Sequence, residues 1–244
     1  MAIFKYFWQY ILIGVLSGGY LSTLFATTPE SLNAGQPPPR LSGEVFRINT
    51  QTIGSPFFYD HWSPGTVILA TGAEIDGHLL MYNGFTDELI YQHPSTFEII
   101  IADKDQVSGF VLKNNGRRDV FKNFSSINWS GFPRTGTYYR VLHEGNISLV
   151  VHQKVKKAGE VAEYTPDGPQ IKTKLISDPA YYIVLNDERS FLIKKFNRRT
   201  LFGIFPENRD EVRRALRSSS IKPQTDVERA ELLRNLEKLI YNDN

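Results

Sequence analysis

Short apolar segments separated by turn-forming dipeptides recur through the middle of the sequence, and this pattern constrains the fold more than any other feature. Asp76-Gly77, Asn83-Gly84 and Asn115-Gly116 each lie between apolar runs. Such pairs favour tight hairpin turns, whose central residues need positive φ. Sequential hairpins pair strands antiparallel, because parallel strands would need long crossover connections. The sequence therefore predicts a mainly β fold: an antiparallel meander that forms a sandwich or a strongly curved, barrel-like sheet.

Two more hairpin connections are predicted farther along, at residues 144–146 (Glu-Gly-Asn) and 186–189 (Asn-Asp-Glu-Arg). Between them, residues 159–169 contain two glycines and two prolines, which are typical of turns and irregular segments. We therefore expect a mobile loop over residues 159–169.

Helical spacing replaces the strand pattern after Arg198. Thr225 and Glu228 form a capping box, the signature of a helix N-terminus. Apolar residues at helical spacing follow it: Leu232, Leu233, Leu236, Leu239 and Ile240. We expect residues 42–197 to form the antiparallel β domain and residues 198–244 to form a small C-terminal α-helical segment. The last helix should pack its apolar stripe on the sheet.

The N-terminal segment resembles an export signal. Lys5 precedes an uncharged, largely apolar run from Tyr6 to Pro29, with a small residue at Ala26. A positive start, an apolar middle and a small residue near the end are typical of a signal peptide, predicted here over residues 1–26. Residues 27–41 contain three consecutive prolines and predict an extended tether. The alternative is an uncleaved inner-membrane anchor over residues 6–28, since the run is long enough to span a bilayer.

Composition excludes several classes of chemistry. The chain has no cysteine, which excludes disulfides, thiolate nucleophiles, cysteine-ligated zinc and iron–sulfur clusters. Lys and Arg total 28 against 26 Asp and Glu, so the net charge of +2 gives no reason to expect nucleic-acid binding. The glycine-rich motifs that cradle nucleotide phosphates do not occur. We therefore predict no cofactor and no nucleic-acid partner.

The densest group of histidines and carboxylates is His61, Asp76 and His78. A hairpin at Asp76-Gly77 that folded back over His61 would place these three side chains within reach of one metal ion. The simpler interpretation, which we favour, makes Asp76 a turn residue and His78 a strand-face residue. No nucleophilic serine motif and no suitably spaced pair of carboxylates is found, so no catalytic residue is predicted.

Doubled aromatic residues suggest a binding surface. In a strand, Tyr138-Tyr139 and Tyr181-Tyr182 place their members on opposite faces. One member of each pair should then lie in the core and the other outside, covered by a helix or by a partner. Exposed tyrosines together with Trp62 could stack on sugar rings or on an extended peptide. The alternative, which we favour, is that the C-terminal helices cover this face.

A family resemblance extends over most of the chain after the tether. Residues 54–62 (GSPFFYDHW) are followed by PGTVIL and by HLLMYNGFTDELIYQ, and the C-terminal part runs YYIV, FLIKK and a charged helix. This layout resembles an uncharacterised family of exported β-rich proteins common in Bacteroidota. The resemblance implies an exported or cell-envelope location in a Gram-negative bacterium, and it carries no activity. It assigns purely structural roles to Gly54, Pro56, Phe57, Phe58, Trp62 and Gly65.

These observations favour an exported, non-enzymatic envelope protein that acts as an interaction module in the periplasm or at the outer membrane. Its partner would be another envelope protein or a glycan, with membrane contact possible through the N-terminal segment. One alternative is a hydrolase that acts on envelope polymer or glycan, which would require a cleft with converging carboxylates. Another is a domain tethered by an uncleaved anchor.

Overall fold

Fourteen strands and three helices make up the part of the chain that the structure, a computed structural model, describes. This part comprises residues 39–47, 51–124, 136–166, 168–187, 189–218 and 223–241. The predicted signal peptide and most of the predicted tether lie outside the described residues. The strands are β1 (Gly43–Val45), β2 (Thr52–Ile53), β3 (Ser63–Leu69), β4 (Glu74–Asn83), β5 (Glu88–Gln92), β6 (Ile99–Ala102), β7 (Val107–Asn114), β8 (Arg117–Asn123), β9 (Tyr138–His143), β10 (Ile147–His152), β11 (Val155–Thr165), β12 (Gly168–Ser177), β13 (Ala180–Leu185) and β14 (Ser190–Ile193). The helices are α1 (Arg198–Ile204), α2 (Arg209–Ser218) and α3 (Asp226–Tyr241).

Eleven strands form one antiparallel sheet in the order β1-β6-β5-β4-β3-β7-β8-β9-β10-β13-β14. Most neighbours in the sheet are also neighbours in the chain, as sequential hairpins require. Among the described residues β1 and β14 are the two free edges, so the sheet is open and sandwich-like, not a closed barrel. The prediction of a mainly β, antiparallel fold with a small C-terminal helical segment is confirmed.

A second sheet is small and contains the longest hairpin of the described chain. β11 and β12 pair antiparallel from Val155↔Ser177 to Thr165↔Gly168. β2 joins the far side of β12 in parallel, at Thr173 and Lys174. The order β11-β12-β2 leaves β11 at the edge.

Four of the predicted turns are hairpin connections in the structure. Asn115 and Gly116 both have positive φ, 48° and 78°, and join β7 to β8. The turn after Asn83 joins β4 to β5, residues 144–146 join β9 to β10, and β13 pairs with β14 across residues 186–189. These turns are predictable because their signal is local: side chains that tolerate positive φ lie between apolar runs.

The prediction of a hairpin turn at Asp76-Gly77 is wrong. Both residues lie inside β4, and the chain turns at residues 70–73, where Leu69 donates its N–H to the Ala73 carbonyl oxygen at 2.8 Å. The register passes from Gly65↔His78 to Thr66↔Asp76, so Gly77 is the extra residue of a β-bulge. Gly77 has a φ of 80°, and such positive φ values occur in β-bulges as well as in hairpin turns.

The prediction of a mobile loop at residues 159–169 is also wrong. These residues belong to the β11–β12 hairpin, which is regular on both sides of its turn. Gly159, with a φ of 135°, lies where the register shifts, and Pro166 and Gly168 lie at the turn. The glycines and prolines mark a bulge and a turn within a hairpin and not an irregular loop.

The helices cover one end of the large sheet. The capping box forms as predicted: the Thr225 hydroxyl accepts from the Glu228 N–H, and the Glu228 carboxylate accepts from the Thr225 N–H at 3.0 Å. Behind it, the apolar stripe of α3 packs against β9 and β10, as expected. Helix residues and strand residues form one buried cluster here, which includes Ile147, Leu149, Ile183, Leu232, Leu233 and Leu236.

Candidate functional site

The three residues of the hypothetical metal site do not form one. The Asp76 carboxylate lies 3.7 Å from Nζ of Lys113, and Nδ1 of His78 lies 3.2 Å from the Asp76 carbonyl oxygen. His61 is exposed before β3. Within the described residues, no three His, Cys, Asp or Glu side chains are grouped so as to hold a metal ion. Because Gly77 forms a bulge inside β4, the chain does not fold back over His61 as the metal hypothesis required.

The tyrosines expected on an aromatic surface are largely inside the protein. Tyr138, Tyr139 and Tyr182 are buried, while Tyr181 and Trp62 are half-buried. The expectation that one member of each pair lies outside is therefore wrong for Tyr138-Tyr139. The two faces of the sheet are both covered at this point: Tyr138 packs against Phe110 on one face, and Tyr139 packs against Tyr182 on the other.

Helix α3 covers Tyr181. The Tyr181 hydroxyl donates to Asp226 at 2.7 Å, and the guanidinium of Arg229 lies 4.4 Å from the centre of the ring. The favoured alternative, in which a C-terminal helix covers the outer tyrosine, therefore describes Tyr181 correctly. These five aromatic residues do not form an exposed binding surface.

A buried ionic network connects α3 to the sheet. Nη1 of Arg140 on β9 donates to Asp119 on β8 at 3.1 Å, and Nη2 donates to Asp226 at the start of α3. Asp119 also accepts from the Tyr59 hydroxyl at 2.5 Å and pairs with Arg117 at 3.0 Å. Every carboxylate in this group is engaged, so the network is suited to holding the helix on the sheet.

A second polar centre forms around Asp87, in the turn between β4 and β5. Its carboxylate accepts from the Tyr82 hydroxyl at 2.8 Å, from the Tyr138 N–H at 3.2 Å and from Nζ of Lys104 at 2.5 Å. Asp87 has a φ of 60°, which is uncommon outside glycine. Nζ of Lys104 also lies 5.1 Å from the centre of the Tyr138 ring. The carboxylate is thus neutralised and fixed from three sides.

This arrangement predicts a loss of stability in alkali. Burial, reinforced by the Asp87 carboxylate, holds the pKa of Tyr82 well above its usual 10.0. Burial likewise raises the pKa of Tyr138 and Tyr139. Above pH 10 the unfolded chain loses protons that the folded chain keeps. The contribution of these tyrosines to the free energy of unfolding should therefore be constant below pH 10 and fall above it, by up to about 1.4 kcal/mol per pH unit for each tyrosine.

Urea unfolding at several pH values, with tyrosinate absorbance recorded in parallel, measures this effect. Tyr82→Phe should flatten the alkaline decline, because one titrating group is removed. Tyr164→Phe replaces a tyrosine that is 84% exposed and is the matched control. An equal flattening in both variants would contradict the assignment to the buried tyrosines.

Next to Asp87 lies a cleft of about 450 Å³, which we call the turn cleft. Its walls come from the β4–β5 turn, the end of β10 and the starts of β11 and β13. Gly84 meets β11 so closely that a Cβ there would collide with the Gln153 carbonyl oxygen. Among the described residues that line the cleft, Asp87 is the one carboxylate, so the converging pair that the hydrolase alternative requires is not found. The lining residues are Gly84, Phe85, Thr86, Asp87, Lys104, Thr137, His152, Lys154, Val155, Ala180 and Tyr182.

The most exposed apolar side chains of the second sheet lie on the β11–β12 hairpin. Tyr164 is 84% exposed and Ile171 is 69% exposed. Tyr164 lies on the edge strand β11 and Ile171 on its neighbour β12, and exposed apolar groups at a sheet edge are typical of interaction surfaces. The sequence analysis missed this surface because it assigned residues 159–169 to a loop. The strand-favouring residues Val161, Tyr164 and Thr165 were the available signal.

No described helix is long and apolar enough to cross a membrane. Comparison of the chain with family models, curated proteins and solved structures finds no match, so its function is argued from the site itself.

Proposed function

We propose that this chain is an exported, non-enzymatic binding protein of the cell envelope. It binds an extended segment of another envelope protein, which adds as a strand to the edge of β11. The observation that carries this proposal is the long, exposed edge of β11, which no other described strand covers. The proposal also rests on the predicted signal peptide and on the family resemblance.

The backbone pairing determines which residues of β11 face outwards. Thr173 on β12 donates its N–H to the Gln51 carbonyl oxygen, on the β2 side, at 2.9 Å. Its backbone groups therefore point away from β11, and its partner Glu160 belongs to a non-hydrogen-bonded pair. By the alternation of an antiparallel ladder, Glu160, Ala162 and Tyr164 direct their N–H and C=O groups away from β12. These three residues offer a row of donors and acceptors to an incoming strand.

The side chains around this edge give it an apolar face. Ala162 lies opposite Ile171, and Tyr164 lies opposite Pro169, so the four share one face of the hairpin. The other face carries the ion pair between Lys172 and Glu163. An added strand with apolar residues at alternate positions would continue the apolar face and cover Tyr164.

The partner is expected to be a different protein and not a second copy of this chain. A twofold pairing of two copies centred on Glu160 would place two carboxylates directly opposite one another, which is unfavourable, and one centred on Ala162 would place Glu160 opposite the apolar ring of Tyr164 at both ends. A partner segment without an acidic residue opposite Glu160 avoids this conflict.

Site-specific photo-crosslinking in the native host tests the proposal. A photo-crosslinking phenylalanine analogue replaces Tyr164 in the full chain, and the same analogue replaces Val227, an exposed apolar residue of α3, as the matched control. Position 164 should give a discrete adduct with an envelope protein, and position 227 should not.

A proline at position 162 sharpens the test. Because the Ala162 N–H points away from β12, Ala162→Pro removes an outward donor without removing a bond of the hairpin. Ala162→Pro should reduce the adduct at position 164 several-fold, whereas Ala162→Ser, which keeps the N–H, should not. Equal adduct yields in the two variants would contradict strand addition.

A further inference from the structure

A second cleft adjoins the turn cleft on the side of the helices. It has a volume of about 600 Å³ and lies between β13, β14 and the start of α3; we call it the helix cleft. Lys154 and Ala180 line both clefts. Tyr182 lines the turn cleft and Tyr181 lines the helix cleft, and these neighbours point to opposite faces of β13, so the two clefts lie on opposite sides of the sheet. The helix cleft has the larger number of lysines and is the groove of interest.

The charges along this groove do not cancel. Arg229 is paired with Asp226. The remaining carboxylate of the groove, Asp178, is neutralised by Lys156 at 3.0 Å. Three exposed lysines in the groove then have no carboxylate within ion-pair distance among the described residues: Lys154, Lys194 and Lys195. The groove carries three uncompensated positive charges.

The walls of the groove also suit sugar rings. Phe196 and the exposed Leu192 line the groove beside the lysines. Rings and methyl groups beside lysines can contact the apolar faces of sugars while the ammonium groups bind acidic substituents.

We propose that this groove binds an acidic glycan, with Lys154, Lys194 and Lys195 contacting its carboxylate or phosphate groups. The site is separate from the outer edge of β11. A glycan in the groove and a strand on β11 would use different residues, so the two proposals can fail independently.

Binding of the full chain to three polymers tests this inference. Polygalacturonate presents carboxylates, phosphomannan presents phosphates, and dextran is neutral. We expect binding to at least one acidic polymer, weaker binding as salt increases, and no binding to dextran. The acidic polymer that binds more tightly shows whether the site recognises carboxylate or phosphate groups. No binding to either acidic polymer, or equal binding to dextran, would overturn the proposal.

A charge-matched pair of triple variants assigns the binding to the groove. Lys154→Gln, Lys194→Gln and Lys195→Gln together should weaken binding on the order of tenfold. The control changes Lys113, Lys122 and Lys238 to Gln, which removes the same charge outside the groove. An equal loss in the control would mean that net charge alone attracts the polymer, and would overturn the proposal. Ala162→Pro should leave polymer binding unchanged.

Discussion

Replacing Arg140 by methionine is expected to lower the free energy of unfolding by about 3 to 5 kcal/mol, because it removes the buried cation that joins the Asp119 and Asp226 carboxylates. The side chain of Arg140 is 5% exposed and that of Asp119 is 3% exposed. Methionine fills much of the same volume but carries no charge and donates no hydrogen bond. Asp119 then keeps only the Tyr59 hydroxyl and the peripheral Arg117. Asp226 keeps the Tyr181 hydroxyl and Arg229 but loses its ion pair with the sheet.

Arg117→Met is the matched control for this prediction. It also replaces an arginine that pairs with Asp119 by methionine. The side chain of Arg117 is 53% exposed, however, so solvent screens its ion pair. Its cost should be within about 1 kcal/mol. Chemical denaturation of both variants measures the difference, and similar losses of stability would show that the Arg140 network does not hold α3 on the sheet. Adding Asp119→Asn and Asp226→Asn to Arg140→Met should recover part of the loss, since the two carboxylates that lost this cation are then neutral.

Phe110→Ala is expected to have an effect of similar size, about 3 to 5 kcal/mol. Phe110 is fully buried at the centre of the large sheet, stacked on Phe121 with 4.6 Å between ring centres and meeting Tyr138 edge-on at 5.1 Å. Truncation removes these contacts and leaves a cavity that the paired strands β3, β7 and β8 cannot close.

The same substitution at Phe97 provides the comparison, because its ring is largely exposed on the connection before β6. Phe97→Ala should change the free energy of unfolding by only about 0.5 kcal/mol. Urea denaturation of the two variants and the parent chain gives the values. If Phe110→Ala lowered the free energy of unfolding by less than about 1 kcal/mol, the placement of Phe110 at the centre of the core would be contradicted.

The sequence predicted the fold class because the signals for hairpins and helix caps are local. Asn115-Gly116 and the Thr225–Glu228 capping box specify their conformations within four residues. The two errors have a common cause, since glycine and proline mark bulges as well as turns. Gly77 and Gly159 both lie at register shifts inside strands, and sequence spacing alone does not distinguish these positions from loop ends.

The candidate sites were less predictable because they depend on residues far apart in the chain. Arg140 bonds to Asp119, which is 21 residues away in the sequence, and to Asp226, which is 86 residues away. Lys104 meets Asp87 only because β5, β6 and β7 bring the two turns together. The prediction of an exposed aromatic surface was wrong for the same reason. The alternation of side chains along a strand predicts the face on which Tyr139 lies, but not that Tyr182 packs against Tyr139 on that face.

The central claim is that this domain works as a binding protein outside the cytoplasm. The intact mass of the natively expressed protein, measured after cell fractionation, tests it most directly. The account predicts a mature chain that starts near Thr27 and is recovered from the periplasmic or outer-membrane fraction. A chain that retains Met1 and is recovered from the cytosol would contradict the account, because an envelope partner could not reach β11 there.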